Sequence, residues 1–419
     1  MTRHDWSGTT RSFVVAAMHT LGIAACTSVP RVSLSRTCPD LPWSTPSTIV
    51  ETTSVHRVAR FASAVDWHGR LTVVGMDMPF FTTPLRDSLL FAYSGANNLG
   101  GPPGGPWFVF PRAVVGPKSS LTLIWAQPDD TVPARVAEPP IRLTSLWSSR
   151  FDPERRQWSP AQMALRGPKI WWAPKSGKAL PSRDGLGVQT VAAVASRDSG
   201  GPRVVYLRQI DDVWTRHDVA SVAAVHADLA QDTHDRLVVV FVAGVPRAAN
   251  SVLVSTSIDG GTRWTQPLVV SREGAHDPII LIGRDDAIHL IWRQEPTNGG
   301  GADVLRHVKS DDFARTWSEP SDLHAAPGML AFDAVIDRCN TVHVAYEDWH
   351  GGGNVGDVDY AKWNGSWTEP VHLMPGWVSA DPVLMVDSSS NVHLVMLARP
   401  SSAPLMGALA NVHLILHIN

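Results

Sequence analysis

Four short acidic segments occupy the same place in a repeated pattern: His226-Ala-Asp228, His276-Asp277-Pro278, Phe332-Asp333-Ala334 and Ala380-Asp381-Pro382. If the units that carry them close on themselves, the carboxylates form a ring able to bind a cation such as Ca²⁺, or sugar hydroxyls. The alternative is that each Asp caps its own loop. Two Gly-rich segments add further polar groups, Gln294-Glu295-Pro-Thr-Asn-Gly-Gly-Gly301 and Glu347-Asp-Trp-His-Gly-Gly-Gly-Asn354. Carboxylates, amides and an indole suit a sugar, which offers hydroxyl edges and an apolar face; a solvated turn is the competing reading. Asp228, His276, Asp277, Glu295, Asp333, Glu347 and Asp381 are therefore the candidate glycan-binding residues. A carboxylate pair for hydrolysing a neutral glycoside can be drawn from Asp277, Glu295, Asp333 and Glu347, and its separation would decide the mechanism. His289, His343, His393 and His413 share one strand context. The first three are repeat-equivalent and belong to different units, which favours structural hydrogen bonds over a metal. No G-x-S-x-G, H-E-x-x-H or phosphate-loop motif is present.

The elements that must position these residues repeat. A Trp followed in most copies by Ser or Thr and then Pro returns at Trp43, Trp107, Trp158, Trp214, Trp264, Trp317 and Trp367. The interval is roughly 50 residues, the range of propellers and solenoids. Between these marks lie Asp232-Thr-His-Asp-Arg-Leu-Val-Val-Val-Phe, Gly283-Arg-Asp-Asp-Ala-Ile-His-Leu-Ile-Trp, Asp337-Arg-Cys-Asn-Thr-Val-His-Val-Ala-Tyr and Asp387-Ser-Ser-Ser-Asn-Val-His-Leu-Val-Met. Each is a polar turn entering a β-branched strand. The pattern predicts an all-β fold, a β-propeller of four-stranded blades with strands a to d. In the unit after Trp264, a is 278–282, b 288–293, c 304–309, and d opens at Trp317; in the third unit, b is 188–195 and c 204–209. Three strands follow Trp367, at 382–386, 392–397 and 412–417, and the missing d is supplied from 42–50. A ring closed by its N-terminal strand leaves no open edge. Seven Trp marks imply seven blades, with six as the alternative. Strand order puts the d–a and b–c loops on one rim and the a–b turns on the other.

One turn carries more. Ser257-Ile-Asp-Gly-Gly-Thr-Arg-Trp264 reads S-x-D-x-G-x-x-W: the Asp can bond backbone N–H groups, the Gly supplies positive φ, and the Trp opens the next strand. Ser310-Asp-Asp312-Phe-Ala-Arg-Thr-Trp317 repeats it with Ala314 in the Gly position. The octapeptide resembles the Asp-box of bacterial sialidase (neuraminidase) repeats. The resemblance implies a propeller whose pocket lies on the rim away from the boxes, an arginine cluster for a sialic acid carboxylate, an Asp acid/base, and a Tyr activated by a Glu. By placement, Arg60 is similar to the family's first arginine, though it lacks the Ile-Pro that follows there, and Asp87 is nearest to the family Asp; these are the catalytic candidates the resemblance gives. The family has six blades, and a carboxylate-rich rim repels an anionic sugar. Tyr206, Tyr346 and Tyr360 fall at packing positions of the repeat.

Length and composition set the outer bounds. At 419 residues, with 44% hydrophobic and 18% charged side chains and a net charge of −3, the chain has ample core and no basic block for nucleic acid. Residues 1–25 read as an export signal, with Arg3 and Arg11 before an apolar stretch that ends Leu21-Gly-Ile-Ala-Ala-Cys26. Small residues before Cys26 resemble a bacterial lipobox, which makes Cys26 a lipidated first residue, 26–41 a tether and 42–419 the propeller. The expectation is an exported protein of the cell envelope, held to the membrane only by lipid. Cys38 and Cys339 then remain, on one rim by strand order, and form a disulfide or stay as two thiols. The expected partner is a carbohydrate or glycoconjugate, the alternative a protein bound by a non-catalytic scaffold; no cofactor is required beyond an optional Ca²⁺.

Overall fold

The computed structural model describes residues 43–418, apart from 45–46, 52–55, 66–70, 80–88, 95–96, 103–108, 117–119, 129–142, 172–178, 182–186, 195–200, 211, 245–249, 273, 296–301, 324–330, 349–355 and 402–412. For some strand residues, among them 56–61 and 413–418, the backbone alone is described. Every element among the described residues is a strand or a turn, and the strands form antiparallel sheets in a propeller-like or solenoid-like arrangement. Five sheets have four strands each. Three of them run in plain chain order: Ala224–Gln231, Leu237–Ala243, Ser251–Ser257, Leu268–Ser271; then Ala275–Ile282, Ile288–Gln294, Val304–Ser310, Ser321–Leu323; then Phe332–Ile336, Val342–Asp348, Asp357–Trp363, Val371–His372. A fourth, starting at His56–Val65, does the same. The fifth runs Trp377–Val386, Val392–Pro400, His413–Ile418 and then Ser47–Glu51, so the front of the chain pairs with its last strand, Ser47 opposite Leu416.

The remaining sheet has nine strands. Gln162–Trp171 pairs with Leu143–Asp152 along its length, but reaches Val188–Val194 only through Ile170 and Trp171. Two four-strand units thus touch at one strand end.

Burial explains the sequence repeat. The second strands are covered on both faces: Val188–Val194 and Val342–Asp348 are buried throughout, and Leu237–Ala243 nearly so. A strand sandwiched between neighbouring sheets needs apolar residues at successive positions, hence Leu237-Val-Val-Val-Phe-Val. The third strands alternate, as in Ser251–Ser257, and the outer Val213–Ala220 is mostly exposed. The core is not one mass. Each of seven apolar clusters joins strands of two adjoining four-strand units, and each fully buried Leu or Phe in them contributes about 1.5–3 kcal/mol.

Three expectations are corrected. Trp264, Trp317 and Trp367 precede the fourth strands rather than open them; those begin at Leu268, Ser321 and Val371. Between each Trp and its strand stands a Pro, which has no N–H for the ladder. Trp264 instead donates its indole N–H to Gly261 O at 3.0 Å and packs on Tyr206. Second, the four aspartates are not one position. Asp228 and Asp333 stand opposite Val240 and Ala345 in register, whereas Asp277 and Asp381 lie in irregularities before Ile279 and Val383, which take that place. The Asp-Pro pair adds residues to the strand, and both aspartates have left-handed backbones, φ 48° and 51°. Third, Glu347 is not in a loop: Val342–Asp348 runs past it, and it is buried opposite Val358.

Candidate functional site

Both rims carry aspartates, and their surroundings differ. On the a–b turn rim, most turn carboxylates close their own turns, whereas Asp286 accepts from Thr233 of the neighbouring turn at 2.9 Å. Asp337 Oδ1 accepts the N–H groups of Cys339 and Thr341 at 2.8 and 2.9 Å, and Asp387 Oδ1 those of Ser389 and Asn391 at 2.7 and 3.0 Å. His343 Nδ1 hydrogen-bonds the Tyr360 hydroxyl at 2.5 Å with its Nε2 3.3 Å from Asp337 Oδ2, and His393 Nε2 hydrogen-bonds Asp387 Oδ2 at 3.1 Å, so both histidines are buried hydrogen-bond partners, as expected. His289 departs from that pattern: its Nδ1 meets His307 Nε2 at 2.9 Å in a stacked, buried pair. The side chain of His413 is outside the described residues.

The S-x-D turns share this economy. Ser257 Oγ donates to Asp259 Oδ1 and accepts the N–H of Gly261, both at 2.9 Å, while Arg263 N–H donates to Asp259 Oδ1 at 2.9 Å. Ser310, Asp312, Ala314 and Thr316 repeat the set. The Thr316 side-chain and backbone bonds hold the Asp312 carboxyl down at about 2. Cys339 is disulfide-bonded; Cys26 and Cys38 lie outside the described residues.

On the opposite rim, charges meet across three strands and two sheets. Asp277 Oδ1 is 3.1 Å from His226 Nδ1 of the neighbouring sheet, and Asp277 Oδ2 is 3.6 Å from Arg293 Nη2. The same Nη2 is 3.7 Å from Glu295 Oε1, and Arg293 Nη1 donates to Asp303 Oδ2 at 3.2 Å. His276 Nε2 is 3.2 Å from Glu295 Oε2. Arg293 stands directly opposite His276 in the ladder, which fixes it at the centre of the group. Burial holds the His226 imidazole below its ordinary range, with the Asp277 charge working against it. Burial also raises the Asp303 carboxyl, against the pull of Arg293. Glu295 is the open member, its side chain 48% exposed. Asp277 Oδ2 and Glu295 Oε1 both lie within 3.7 Å of Arg293 Nη2, so the two carboxylates converge on a single guanidinium.

The repeat isolates this group. Asp381 has the same turn and the same backbone, yet Leu397 stands where Arg293 does and Ala331 where His226 does. Structural repetition accounts for the aspartate; it does not account for the histidine and arginine placed on one copy only. His276, Asp277 and Glu295 were legible as candidates. His226, Arg293 and Asp303 were not, and the break in the repeat at Arg293 was the available signal.

One step along the same strands is a cavity of about 420 Å³, walled by the first strands of successive units and lined by Asp228, Asp333, Asp381, Arg112 and small apolar side chains. Two of these carboxylates serve the neighbouring sheet: Asp228 Oδ2 accepts the N–H of Ile280 at 3.0 Å, and Asp333 Oδ2 that of Leu384 at 2.8 Å. Each satisfies an edge-strand N–H across the gap between units. Asp381 makes no hydrogen bond or ion pair among the described residues, and is half-buried.

The remaining candidates lie elsewhere. Arg60 is opposite Met76 in the first four-stranded sheet, with its side chain outside the described residues, as is the whole of Asp87. Tyr206 and Tyr346 are buried; burial raises Tyr206 to about 12, against Arg208, and raises Tyr346 further, with Asp359 and Asp348 adding to it. Neither is a nucleophile in waiting. Among the described residues, the group with metal-ligand spacing is Asp232, His234 and Asp286, within 4.8 Å of one another on the turn rim. One imidazole and two carboxylates have the chemistry for a divalent cation, although Arg236 sits on Asp232 and lies 3.9 Å from Asp286.

No family model matches the chain. A protein of unknown function from Dyadobacter fermentans is similar in structure at 12% identity, over 76% of this chain and 98% of that one, with a TM-score of 0.51. A polysaccharide lyase described as an ulvan lyase is similar at 10% identity, over 84% and 93%, also with a TM-score of 0.51. A Hadza microbial sialidase aligns at 13% identity, over 83% and 76%, with a TM-score of 0.45. The first two likenesses speak for the fold alone.

Proposed function

We propose that this chain is an exported, sialidase-like β-propeller that recognises glycans at the cell envelope and hydrolyses a glycosidic bond at the Asp277–Glu295 rim. The observation that carries the proposal is the broken repeat, in which one of two equivalent Asp-Pro turns has gained His226 and Arg293. Asp277, oriented from two sides and deeper, acts on the sugar or the attacking water. Glu295, at the open mouth, is the second carboxylate of the pair. The similarity to a polysaccharide lyase supports a carbohydrate partner. Arg60 and Asp87 are proposed as additional contacts from the first unit.

The same proposal takes the ring as seven blades closed by the N-terminal strand. Seven inter-unit clusters, the contact between His56–Val65 and Trp377–Val386, and Trp43 edge-on to Tyr360 all support closure. Cys38 is taken as the partner of Cys339, and lipidated Cys26 as the anchor. A non-catalytic scaffold that binds a protein partner is the second reading, favoured by the exposed Leu268 and Val269 of one outer strand and Ile258 in the turn before it.

The test is turnover of a panel of fluorogenic glycosides, a sialoside included, by the whole chain and by Asp277→Asn and Glu295→Gln. Loss of turnover in both variants, with unchanged melting, supports the proposal. Turnover untouched by either, or absent from the wild type on every glycoside, contradicts it.

A further inference from the structure

Three units meet the next one through a ring on the third strand. Tyr206, His307 and Tyr360 stand opposite Val191, Ile291 and Ala345 in register, two residues past Gln189, His289 and His343. Each ring bonds that earlier side chain and packs on a tryptophan from the following unit. Tyr206 donates to Gln189 Oε1 at 2.7 Å, with its centroid 5.6 Å from that of Trp264. Tyr360 meets His343 Nδ1 at 2.5 Å and lies 4.8 Å from Trp43. His307 Nε2 meets His289 Nδ1 at 2.9 Å, and its ring lies 4.6 and 5.5 Å from Trp363 and Trp367.

Two departures from the repeat coincide at this one seam. A histidine stands where the other two copies have tyrosine. The carboxylate is also missing: Asp337 and Asp387 lie six residues before His343 and His393 and contact them, whereas the residue six before His289 is Gly283. A proton taken up by His343 or His393 finds a counterion. One taken up by His289 or His307 puts a charge between two imidazoles and two indoles, with no carboxylate at ion-pair distance among the described residues. Both rings are buried, and His307 Nδ1 has no hydrogen-bond partner among them. A buried charge without counterion or acceptor is costly enough that the group stays neutral or its surroundings open. Burial depresses His289 to about 4 and His307 to about 3. Lys309 adds to both effects, and Asp285 and Asp311 oppose it at His289, while the neighbouring sheet faces His307 with indoles. We infer that the seam between the sheet of Ala275–Ile282 and that of Phe332–Ile336 is an acid-opened joint: protonation of the His289–His307 pair parts it, while the seams closed by Gln189–Tyr206 and His343–Tyr360 hold.

Hydrogen exchange of the whole protein, read by mass spectrometry from pH 7 to pH 4.5 and corrected for the intrinsic rate, follows this joint directly. The closed seam keeps both imidazoles neutral, and the open one lets them charge below the ordinary value near 6.5. Opening therefore becomes about tenfold easier per pH unit for each histidine, and up to about a hundredfold for the pair. Protection is expected to fall on that slope in 288–294 and 304–310 and to hold in 188–194 and 203–210. His289→Gln/His307→Tyr, which recreates the Gln189–Tyr206 pair, is expected to remove the slope. A slope that survives the double variant, or a loss of protection as large in 188–210 as in 288–310, overturns the inference. If the double variant fails to fold, His307→Tyr alone is expected to leave about tenfold per pH unit, and a slope unchanged in it is equally contrary. If neither variant folds, the wild-type comparison decides: loss confined to 288–310 supports the joint, and uniform loss ends it.

Discussion

The two rims use the same residue to opposite ends. On the turn rim, the carboxylates of Asp259, Asp312, Asp337 and Asp387 are saturated by N–H groups within a few residues along the chain. On the other rim, Asp277 meets only side chains from elsewhere in the sequence, an imidazole on one side and a guanidinium on the other. A carboxylate spent on its own backbone builds structure. One held by long side chains over a cavity keeps its charge for something that arrives. The difference teaches that a repeated aspartate says little by itself, and that its partners say whether it is scaffold or site.

The largest stability effect expected from a single substitution belongs to the turn rim. A Cβ added at Gly261, where φ is 90°, would lie 2.3 Å from Tyr206 Cε1, and that ring is anchored by its hydroxyl, which donates to Gln189 at 2.7 Å. Gly261→Ala should cost about 3 kcal/mol in urea unfolding, from strain and overpacking together. A cost near zero would mean that this rim is not rigid, and the contrast between rims would weaken.

Next is the buried His289–His307 pair, on the turn-rim half of its sheet. Burial depresses His289 to about 4, with Lys309 lowering it further and Asp285 and Asp311 opposing, and depresses His307 to about 3, with His289 and Lys309 adding to the effect. Both values fall below the unfolded one, so the unfolded chain binds more protons in acid. Stability is full above the unfolded value near 6.5 and declines as pH falls toward about 4 and 3. A loss of up to about 5 kcal/mol between neutral pH and about pH 4.5 is expected from the two shifts together, flattened in His289→Leu/His307→Phe. An unflattened curve would assign the acid sensitivity elsewhere.

Asp228→Ala, which orphans the Ile280 N–H at the cavity, should cost about 1–2 kcal/mol. An effect of this size marks Asp228 as scaffold, although it lines the cavity. Smallest is Ala314→Gly, where φ is 63° and the methyl is buried in the apolar cluster that also holds Val252 and Val254; relief of strain and loss of burial should nearly cancel, within about 1 kcal/mol. A large change in either direction would show that the two S-x-D turns are not interchangeable.

Much of this was readable from residues in a row. Leu237-Val-Val-Val-Phe announces a strand buried on both faces, and Ser257 to Trp264 announces a turn, because each is stabilised by neighbours in sequence. The site was only half readable. His226, Asp277, Arg293 and Asp303 come from separate strands and meet through sheet packing that no local pattern encodes. The Asp-Pro irregularities also hid from alignment, since an inserted residue moves Asp277 out of the place that Asp228 holds while leaving the letters aligned. Trp264, Trp317 and Trp367 located their units yet misplaced the fourth strands, because the proline after each delays the ladder, whereas Trp214, with no such proline, lies within its outer strand.

The most direct measurement makes one substitution on both rims. Asp277→Asn and Asp259→Asn are each assayed for glycoside turnover and for thermal melting. The account predicts that Asp277→Asn lowers kcat/KM by about 10³-fold with melting unchanged, while Asp259→Asn lowers the melting temperature and leaves turnover intact. Turnover that survives Asp277→Asn, or is lost equally in both variants, would contradict the assignment of the site to that rim.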